Sequence, residues 1–516
     1  MRYRMKISVL FVVTGMLWFA GAQPSVAADR VLTIGGGYSP SGNQVSLEKN
    51  ILFFKRVLQS LGLGSAPHTI LFADGQDAAR DLQFADSSKA VPEIHRLLAE
   101  VLGSTKGLNH EYRSSRIEGV RAPARVEQID RVFNEWAGKF QGGDRLLLYF
   151  TGHGGKTIKK GTQNTKMYLW NGQSLPVSDL VKRLDKVSPK VPVILVMVQC
   201  YSGGFANVIF KEGDPKKGLA THARAGFFAT VHDRVAAGCT PDINEANYEE
   251  YSTYFWAAIH GRTRLGQAIQ RPDHNGDGRV SFAEAHSYAL LESETIDISI
   301  KTSDAFLRQF SRIKKQKDDP VQDLVTPEVP FAKLLAHAGP NETAVLQGLS
   351  RELKLSGESR VAAARKLLDN LAKERKALGS KKGKERANKS KYRKELANRV
   401  KSRWPELANP WHPQVARILR EDGDRIVRSI RGHHAYSHYR KAADAERKIG
   451  EQDRAIERRW VKVRRLLYTA EGVALAANLP QVADDKIQQR YAELIALEDG
   501  FLKQPTSVST TRPALN

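Results

Sequence analysis

Cysteine is scarce in this sequence: Cys200 and Cys239 are the only two among 516 residues. A small exported domain with little core would show more, because it depends on disulfides for stability. Beyond residue 28 the sequence also lacks any apolar run near the roughly 20 residues that a bilayer span needs. These two features exclude a disulfide scaffold and a multi-span membrane protein. The fold must therefore rest on a hydrophobic core, which a chain of this length can readily bury.

Residues 1–28 have the pattern of an export signal. Three basic residues, Arg2, Arg4 and Lys6, precede an apolar stretch over 7–22, and the small residues of "SVAA" fit a cleavage site. An uncleaved membrane anchor is the alternative, but the apolar run is short for a bilayer span. We expect the mature protein to begin near Ala28 or Asp29, without a transmembrane segment, and to be periplasmic or secreted.

Positive charge is concentrated toward the C-terminal end. The whole chain has a formal net charge of +24, and residues 351–516 contain 38 Lys and Arg against 21 Asp and Glu, so 38 − 21 = +17 lies there. This asymmetry favours a separate helical module with an anionic partner, and a solvated charged helix is the alternative. The Lys-rich stretch 373–401 lacks the series of aromatic side chains that stack on bases. No sequence-specific nucleic acid is therefore expected as a partner.

Short apolar runs alternate with helical patterns between residues 30 and 290. The runs are rich in Val, Ile, Leu and Phe with little alternation, which is typical of strands covered on both faces. They occupy 31–37, 69–75, 145–154, 191–200 and 226–233, and helical patterns occupy 46–62, 125–140 and 176–187. This order predicts an α/β fold, with a mostly parallel sheet and helices on both faces. Functional groups in such a sheet gather beyond the carboxyl ends of the strands.

Two of the predicted strands end in reactive side chains. The stretch "LLLYFTGHGG" (146–155) presents His153, and "VPVILVMVQCYSGG" (191–204) presents Cys200, 47 residues further on. Each motif alone is more typical of a turn or of a buried core cysteine. Together at one sheet edge, imidazole and thiol can generate a thiolate that attacks a carbonyl carbon and forms a thioester. The N–H groups of Gly154 and Cys200 would then stabilise the oxyanion.

The motifs "TGHGG" and "QCYSGG" resemble those of the caspase-like cysteine peptidases, and most closely those of the legumain family. The predicted first strand and its loop, "IGGGYSPSGNQVSLEKNILFF" (34–54), are also similar to that family, and the resemblance extends over about 31–292. It implies a caspase-like sheet and a cysteine endopeptidase with a Cys200–His153 dyad. It also implies that Gly154 and the Cys200 amide are the oxyanion donors. The same resemblance allows peptide ligation, if an amine rather than water attacks the thioester.

The resemblance further implies where a substrate side chain would bind. The caspases have Gln-Ala-Cys, whereas Gln199 directly precedes Cys200 here, which weakens the case for an aspartate-specific pocket. The implied pocket residues are Asn43, Gln44, Gln199, Asp242, Glu249 and Glu250. The carboxylates would favour a basic or amide side chain, unless they are ordinary solvated loop residues, so the preferred residue stays open. Cys239 is expected to be a free thiol, and a disulfide with Cys200 is the alternative.

The stretch "DHNGDGRVSFAE" (273–284) fits the twelve-residue calcium loop of an EF-hand. Gly278 occupies the turn position, and helical patterns stand on both sides, at 253–270 and 282–293. The expected ligands, through a side chain or a backbone carbonyl, are Asp273, Asn275, Asp277, Arg279, Ser281 and Glu284. A metal-free turn rich in Asp and Asn is the alternative. One such loop in an exported protein favours a structural Ca2+ site over a sensor.

The sequence thus predicts five segments. They are a signal peptide (1–28), a caspase-like, legumain-like peptidase domain (29–295) that includes the loop at 273–284, a linker (296–345), a basic helical module (346–503) and a disordered tail (504–516). The predicted activity is that of an exported cysteine endopeptidase acting on a protein or peptide. The alternatives are a catalytically idle, calcium-stabilised scaffold that binds an anionic envelope partner, and a peptide ligase or acyl hydrolase with the same dyad.

Overall fold

The computed structural model of the protein describes residues 29–140, 143–157, 159, 161–315, 321 and 323–502. The predicted signal peptide (1–28) and disordered tail (504–516) lie outside the described residues. No helix within these ranges is long and apolar enough to cross a membrane.

Strands dominate the first part of the chain and long helices the last. The strands are β1 (Asp29–Gly36), β2 (His68–Phe72), β3 (Leu82–Ala85), β4 (His110–Arg113), β5 (Val120–Ala122), β6 (Arg145–Gly152), β7 (Gly154–Gly155), β8 (Lys166–Tyr168), β9 (Ser174–Pro176), β10 (Val193–Met197), β11 (Arg224–Phe228) and β12 (Ile300–Lys301). The α-helices are α1 (Val45–Ser60), α2 (Glu93–Leu102), α3 (Val126–Trp136), α4 (Val177–Leu184), α5 (Tyr251–His260), α6 (Phe282–Glu292), α7 (Thr302–Phe310), α8 (Phe331–Leu335), α9 (Pro340–Glu352), α10 (Arg360–Arg403), α11 (Val415–Glu421), α12 (Gly423–Arg431), α13 (His434–Val482) and α14 (Asp485–Glu498).

Seven strands form one sheet in the order β12-β11-β10-β6-β1-β2-β5. Neighbouring strands are parallel except β11 and β12, which pair antiparallel at one edge. The five apolar runs of the sequence are β1, β2, β6, β10 and β11, and the three helical patterns between them are α1, α3 and α4. The prediction of an α/β fold with a mostly parallel sheet is therefore confirmed.

Helices cover both faces of the sheet, because successive residues of a strand point to opposite sides. On β6, Leu147 and Tyr149 pack on one face, in a core shared with α1, α5 and α6. Leu146, Leu148 and Phe150 pack on the other face, in a core shared with α3 and α4. A strand covered on both faces needs no polar side, which is why β6 is apolar along most of its length.

Residues 296–345, expected to be a linker, carry regular structure instead. They contain β12, α7, α8 and the first residues of α9, and β12 extends the main sheet beyond β11. Ile298, Ile300, Phe306 and Leu307 are buried in the two sheet cores. An edge strand of two residues is too short to produce a recognisable hydrophobic pattern, so β12 could not be predicted from the sequence.

The predicted helical C-terminal region is confirmed, and it packs directly on the sheet region. α10 and α13 run antiparallel, since Arg375 pairs with Asp453 at 3.1 Å while Lys389, further along α10, pairs with the earlier Glu446. The first half of α13 is charged, whereas its later residues are apolar and contribute to both sheet cores. One helix therefore belongs to the charged helical pair at its start and to the α/β region at its end.

Candidate active site

His153 and Cys200 lie at the same edge of the main sheet. β6 and β10 are neighbours in which Phe150 pairs with Met197, and the N–H of Val198 donates to the Phe150 carbonyl at 3.2 Å. His153 follows Phe150 by three positions, and Cys200 follows Met197 by three. Both side chains therefore leave the sheet at the same level, beyond the carboxyl ends of the strands, where α/β sheets bind their ligands.

Gly154 is held against the backbone of Cys200. A Cβ built on Gly154 would come within 2.1 Å of the Cys200 carbonyl oxygen and within 2.5 Å of Gln199 Cγ. No side chain fits at these distances, so the position requires glycine. This close contact joins the turn that carries His153 to the turn that carries Cys200, and it places Gly154, the predicted oxyanion donor, next to Cys200.

The loop before α1 orients the imidazole of His153. Its Nε2 lies 2.8 Å from the Gly42 carbonyl oxygen and 2.9 Å from Gln44 Oε1, and both of these atoms are acceptors. The Gln44 amide is fixed in this sense because its Nε2 donates to the Ser41 carbonyl at 3.1 Å. His153 Nε2 therefore carries the proton, which leaves Nδ1 as the basic nitrogen. The Tyr38 ring packs edge-on against the imidazole, with 5.2 Å between the ring centroids.

Burial keeps both members of the pair neutral at rest. It lowers the pKa of His153 below its ordinary value, although the hydrogen bond to Gly42 opposes the effect. Burial also raises the pKa of the Cys200 thiol, and the charge of Asp297 adds to this increase. Cys200 Sγ accepts a hydrogen bond from the Ala236 N–H at 3.3 Å. At pH 7 the resting pair is a thiol and a neutral imidazole.

Cys239 is a free thiol beside this pair, as predicted, and Cys200 is free as well. The Sγ atom of Cys239 lies 3.8 Å from the carbonyl oxygen of Gly152, the residue before His153. Burial raises the pKa of Cys239 strongly, and the charges of Cys200 and Glu250 add to the increase. A buried thiol that stays protonated is a poor nucleophile, which disfavours Cys239 as a reactive sulfur.

Asn43 and Gln199, two of the predicted pocket residues, have buried side chains. Asn43 is fully buried, and its amide accepts from the Gly37 N–H at 3.1 Å and donates to Asp81 Oδ2 at 2.8 Å. Both ends of that amide are used, so Asn43 braces the loop rather than facing a substrate. Gln199 is 1% exposed, and neither end of its amide has a hydrogen-bond partner within the described ranges. Gln44, by contrast, contacts His153 directly.

The three predicted carboxylates occupy different environments. Asp242 accepts hydrogen bonds from residues of its own turn. Glu249 is exposed and pairs with Arg458 of α13 at 3.1 Å. Glu250 is 2% exposed, and its Oε1 has no hydrogen-bond partner among the residues described. Burial raises the pKa of Glu250, and its charge acts on the thiol of Cys239, so Glu250 is the carboxylate of the three that lies near Cys239.

The loop at 273–284 is closed by its own hydrogen bonds. Asp273 accepts from the N–H groups of Asp277 and Gly278 at 3.1 and 2.8 Å. Glu284 is 1% exposed and forms a capping box with Ser281 at the start of α6. Further contacts are Asn275 Oδ1 with the Asp277 N–H, Asn275 Nδ2 with Asp277 Oδ2, the Arg279 N–H with Asp277 Oδ1, and the N–H groups of His274 and Asn275 with Glu284 Oε1.

The residue types of the loop suit a calcium ion, but the structure around the loop departs from that of an EF-hand. Its carboxylate and amide oxygens are the hard ligands that Ca2+ prefers. However, α5 ends at His260, so the helix expected at 253–270 stops well before the loop. Across the ranges that the structure describes, no group of three or more His, Cys, Asp or Glu side chains is arranged to hold a metal ion. Backbone N–H groups donate to carboxylate oxygens of Asp273 and Glu284, which keep acceptor capacity for a cation.

Sequence patterns missed several contributors to the site. The Gly42 carbonyl and the Ala236 N–H are backbone groups, and every residue type supplies them, so no pattern marks them. Asp297 and its contacts lay in the segment expected to be a linker. Tyr38 could have been predicted as a site residue, because it is an aromatic residue in the loop after the first strand. In the structure its side chain is 40% exposed.

Comparisons with known proteins find similarity among solved structures alone. No protein-family model matches the chain, and no curated protein matches it. The crystal structure of a structural-genomics target from Geobacter sulfurreducens matches 51% of this chain and 88% of its own, with 12% sequence identity and a TM-score of 0.28. A match at that TM-score carries no argument about fold or function.

Proposed function

We propose that the protein is a caspase-like cysteine endopeptidase, similar to the legumain family, that hydrolyses peptide bonds through an acyl-enzyme on Cys200. The observation that supports this most is the matched register of β6 and β10, which brings His153 and Cys200 to one sheet edge. The requirement for glycine at position 154 adds to it. A buried strand end with a thiol, a neutral imidazole and close backbone N–H groups holds the groups that acyl transfer needs.

The reaction follows from the resting protonation states. As Cys200 Sγ attacks the carbonyl carbon of the scissile peptide, His153 Nδ1 accepts the thiol proton, and the Gly42 carbonyl stabilises the resulting imidazolium through Nε2–H. The N–H groups of Gly154 and Cys200 donate to the oxyanion. The imidazolium then gives its proton to the departing amine, which leaves a thioester. Water attacks the thioester, releases the carboxylic acid and restores the thiol.

Glu250 is the proposed determinant of substrate preference. Its buried carboxylate lies near Cys239 and has an oxygen without a partner in the part of the chain that the structure describes. A basic or amide side chain that contacts this oxygen would relieve the cost of burying it. An amine that replaces water in the last step would give ligation, so the products must be analysed for both outcomes.

A peptide library tests the proposed activity. The mature protein should cleave a mixed library with a defined residue before the cut, and Cys200→Ala should lose the activity while its circular dichroism stays unchanged. Cys239→Ala is the matched control and should retain turnover. Equal cleavage by Cys200→Ala would exclude the proposed nucleophile, and a folded wild-type protein that cleaves nothing would favour the idle scaffold.

Two further properties are proposed for the same exported protein. The oxygen ligands of the loop at 273–284 would hold a structural Ca2+ ion, supported by the twelve-residue pattern and its hard donor set. The basic face of α10 would meet an anionic partner of the cell envelope, supported by exposed residues such as Lys381, Lys384 and Arg386. Neither property is required for the chemistry at Cys200.

A further inference from the structure

A buried arginine of the C-terminal helix α13 holds a segment of the α/β region. Arg465 is 1% exposed, and its guanidinium donates to backbone and side-chain oxygens of the segment 290–297. These hydrogen bonds, between 2.8 and 3.1 Å long, go to the carbonyls of Leu290, Ser293 and Asp297 and to Thr295 Oγ1. Loss of the guanidinium would leave several buried acceptors unpaired, so the segment depends on this one side chain.

The segment that Arg465 holds leads to the nucleophile. Asp297 is 1% exposed, and its Oδ1 accepts from the Ala237 N–H at 2.7 Å. The neighbouring Ala236 N–H donates to Cys200 Sγ at 3.3 Å. Successive N–H groups of one loop are thus bound to the buried carboxylate on one side and to the reactive sulfur on the other. A displacement of Asp297 would move the loop that contacts the thiol.

A second contact ties the same loop to α13. The carbonyl of Arg234 accepts from the Tyr201 N–H, next to the nucleophile, at 2.8 Å. The Arg234 guanidinium donates to Glu457 of α13 at 3.2 Å and lies 5.2 Å from the centroid of the Trp460 ring. The loop at 234–237 is therefore attached to α13 at two places, with Cys200 and Tyr201 on its other side.

We propose, on the basis of the proposed peptidase function, that α13 positions the nucleophile: Arg465 and Asp297 are positioning residues that hold the 234–237 loop, and with it Cys200 Sγ, in the geometry of attack. Neither residue contacts the substrate in this proposal. The C-terminal helices are then part of the catalytic structure, and the charged far end of the pair is free for another role.

The charge of Asp297 gives this proposal a pH-dependent signature. Its Oδ2 has no hydrogen-bond partner among the described residues, and burial raises the pKa of Asp297 to about 7. The ionisable groups that act on it or feel its charge are Arg465, Glu250, Cys200 and Tyr251. Above pH 7 the carboxylate is charged and opposes thiolate formation at Cys200, whereas near pH 5 it is protonated and has no such effect.

Alkylation of Cys200 measures this coupling without any peptidase activity. The rate of iodoacetamide addition to the Cys200 peptide would be followed by mass spectrometry from pH 5 to pH 9 on the full mature chain. Asp297→Asn keeps an acceptor for the Ala237 N–H and removes the charge. We expect it to react about 3 to 10 times faster than wild type at pH 8, with the two rates converging at pH 5. Its kcat should stay within about threefold of wild type.

Asp297→Ala removes the acceptor as well as the charge. We expect its kcat to fall by about tenfold or more with little change in KM, because the loop loses its anchor while the substrate pocket remains. Arg465→Lys keeps the charge and loses the guanidinium's several donors, and it should show the same loss of kcat. Arg458→Gln, on the exposed side of the same helix, is the control and should match wild type in both measurements.

Each outcome decides one question. Wild-type alkylation profiles and wild-type kcat in both Asp297 variants would overturn the positioning role. A shifted profile in a protein that cleaves no peptide would keep the coupling between Asp297 and Cys200 and reject the peptidase function. An Asp297→Asn variant that is equally slow at every pH would show that Asp297 only supports folding, and that result also counts against the proposal.

Discussion

The sheet region and the long helical pair are stabilised in opposite ways. β6 and β10 are buried on both faces, and their chemistry begins only where each strand ends, at His153 and Cys200. α10 and the first half of α13 expose many charged side chains and are joined by ion pairs, such as the half-buried Arg375–Asp453, and by apolar contacts such as those of Leu396 and Val400. Exposed charges contribute at most about 1 kcal/mol each. Substitutions should therefore have large effects at the sheet edge, and substitutions of exposed charged residues should have small effects along the helical pair.

α13 belongs to both regions, and its sequence changes where its role changes. Before about residue 456 the helix is densely charged, and after residue 460 it buries apolar side chains in the sheet cores. Arg465 lies in this second part and is buried, in contrast to Arg454 and Arg459 of the same helix, which are exposed. Charged residues of α13 are therefore mostly solvated in its first half, whereas Arg465 in its second half is buried and binds the segment 290–297.

Gly154→Ala should produce the largest effect. The new Cβ would collide with the Cys200 carbonyl at 2.1 Å, so the two turns must separate and the dyad must lose its alignment. We expect kcat/KM to fall by about 100-fold or more. Gly138→Ala, at an exposed position with open space around its Cβ, is the matched control and should change neither activity nor melting temperature. Retained activity in Gly154→Ala would contradict the observed packing.

Glu250→Gln should change specificity more than rate. The substitution keeps the buried shape and removes the charge, so turnover of substrates with a basic side chain should fall about tenfold relative to those with an amide. Library cleavage with each residue before the cut would measure this. Glu249→Gln alters the adjacent, exposed carboxylate that pairs with Arg458 and should leave the profile unchanged. An unchanged profile in Glu250→Gln would place the pocket elsewhere.

Removal of calcium should have a moderate effect on stability. Saturating Ca2+ at the loop would stabilise the fold by about 1 to 3 kcal/mol, so a chelator should lower the melting temperature by a few degrees. The double variant Asp273→Asn with Asp277→Asn should melt at the chelated temperature and ignore the chelator. Asp484→Ala removes the cap of α14, should lose about 1 kcal/mol, and should keep the chelator response. Identical melting of wild type with and without chelator would reject the site.

Neutralising the exposed face of α10 should have the smallest effect on the fold. Lys381→Gln, Lys384→Gln and Arg386→Gln together should change the free energy of unfolding by less than about 0.5 kcal/mol, because solvated charges contribute little. Peptide cleavage should be unchanged. Binding to anionic vesicles at low salt should weaken, and a variant that binds them as well as wild type would remove this face as the anionic contact. A large loss of stability would show that the helical pair is more tightly coupled than its ion pairs suggest.

The sheet, and the placement of His153 and Cys200 at one of its edges, could be predicted because they depend on local patterns. The apolar runs that became β6 and β10 are continuous, and each ends in glycines around one reactive side chain. Contacts between distant segments leave no such pattern, since Arg465 lies 168 residues from the Asp297 carbonyl that it binds. The same limit applies to Gly42, whose carbonyl orients His153 from 111 residues away.

The pocket predictions show the limit of reading side-chain type without burial. Asn43 and Glu250 were equal candidates in the sequence, yet Asn43 uses its whole amide to brace the loop. Glu250 is as deeply buried but keeps an oxygen without a partner in the described part of the chain. The expectation of a linker at 296–345 differs from the structure for a related reason. β12 is defined by its pairing with β11 rather than by a pattern in its own sequence.

Covalent labelling tests the central proposal most directly. A peptidyl acyloxymethyl ketone would be incubated with the mature protein, and the adduct would be located by mass spectrometry. We expect one adduct, on Cys200, absent from Cys200→Ala and formed at least about 100-fold more slowly in His153→Ala. Labelling of Cys239 in its place, or an undiminished rate in His153→Ala, would contradict the assignment of Cys200 and His153 as the catalytic pair.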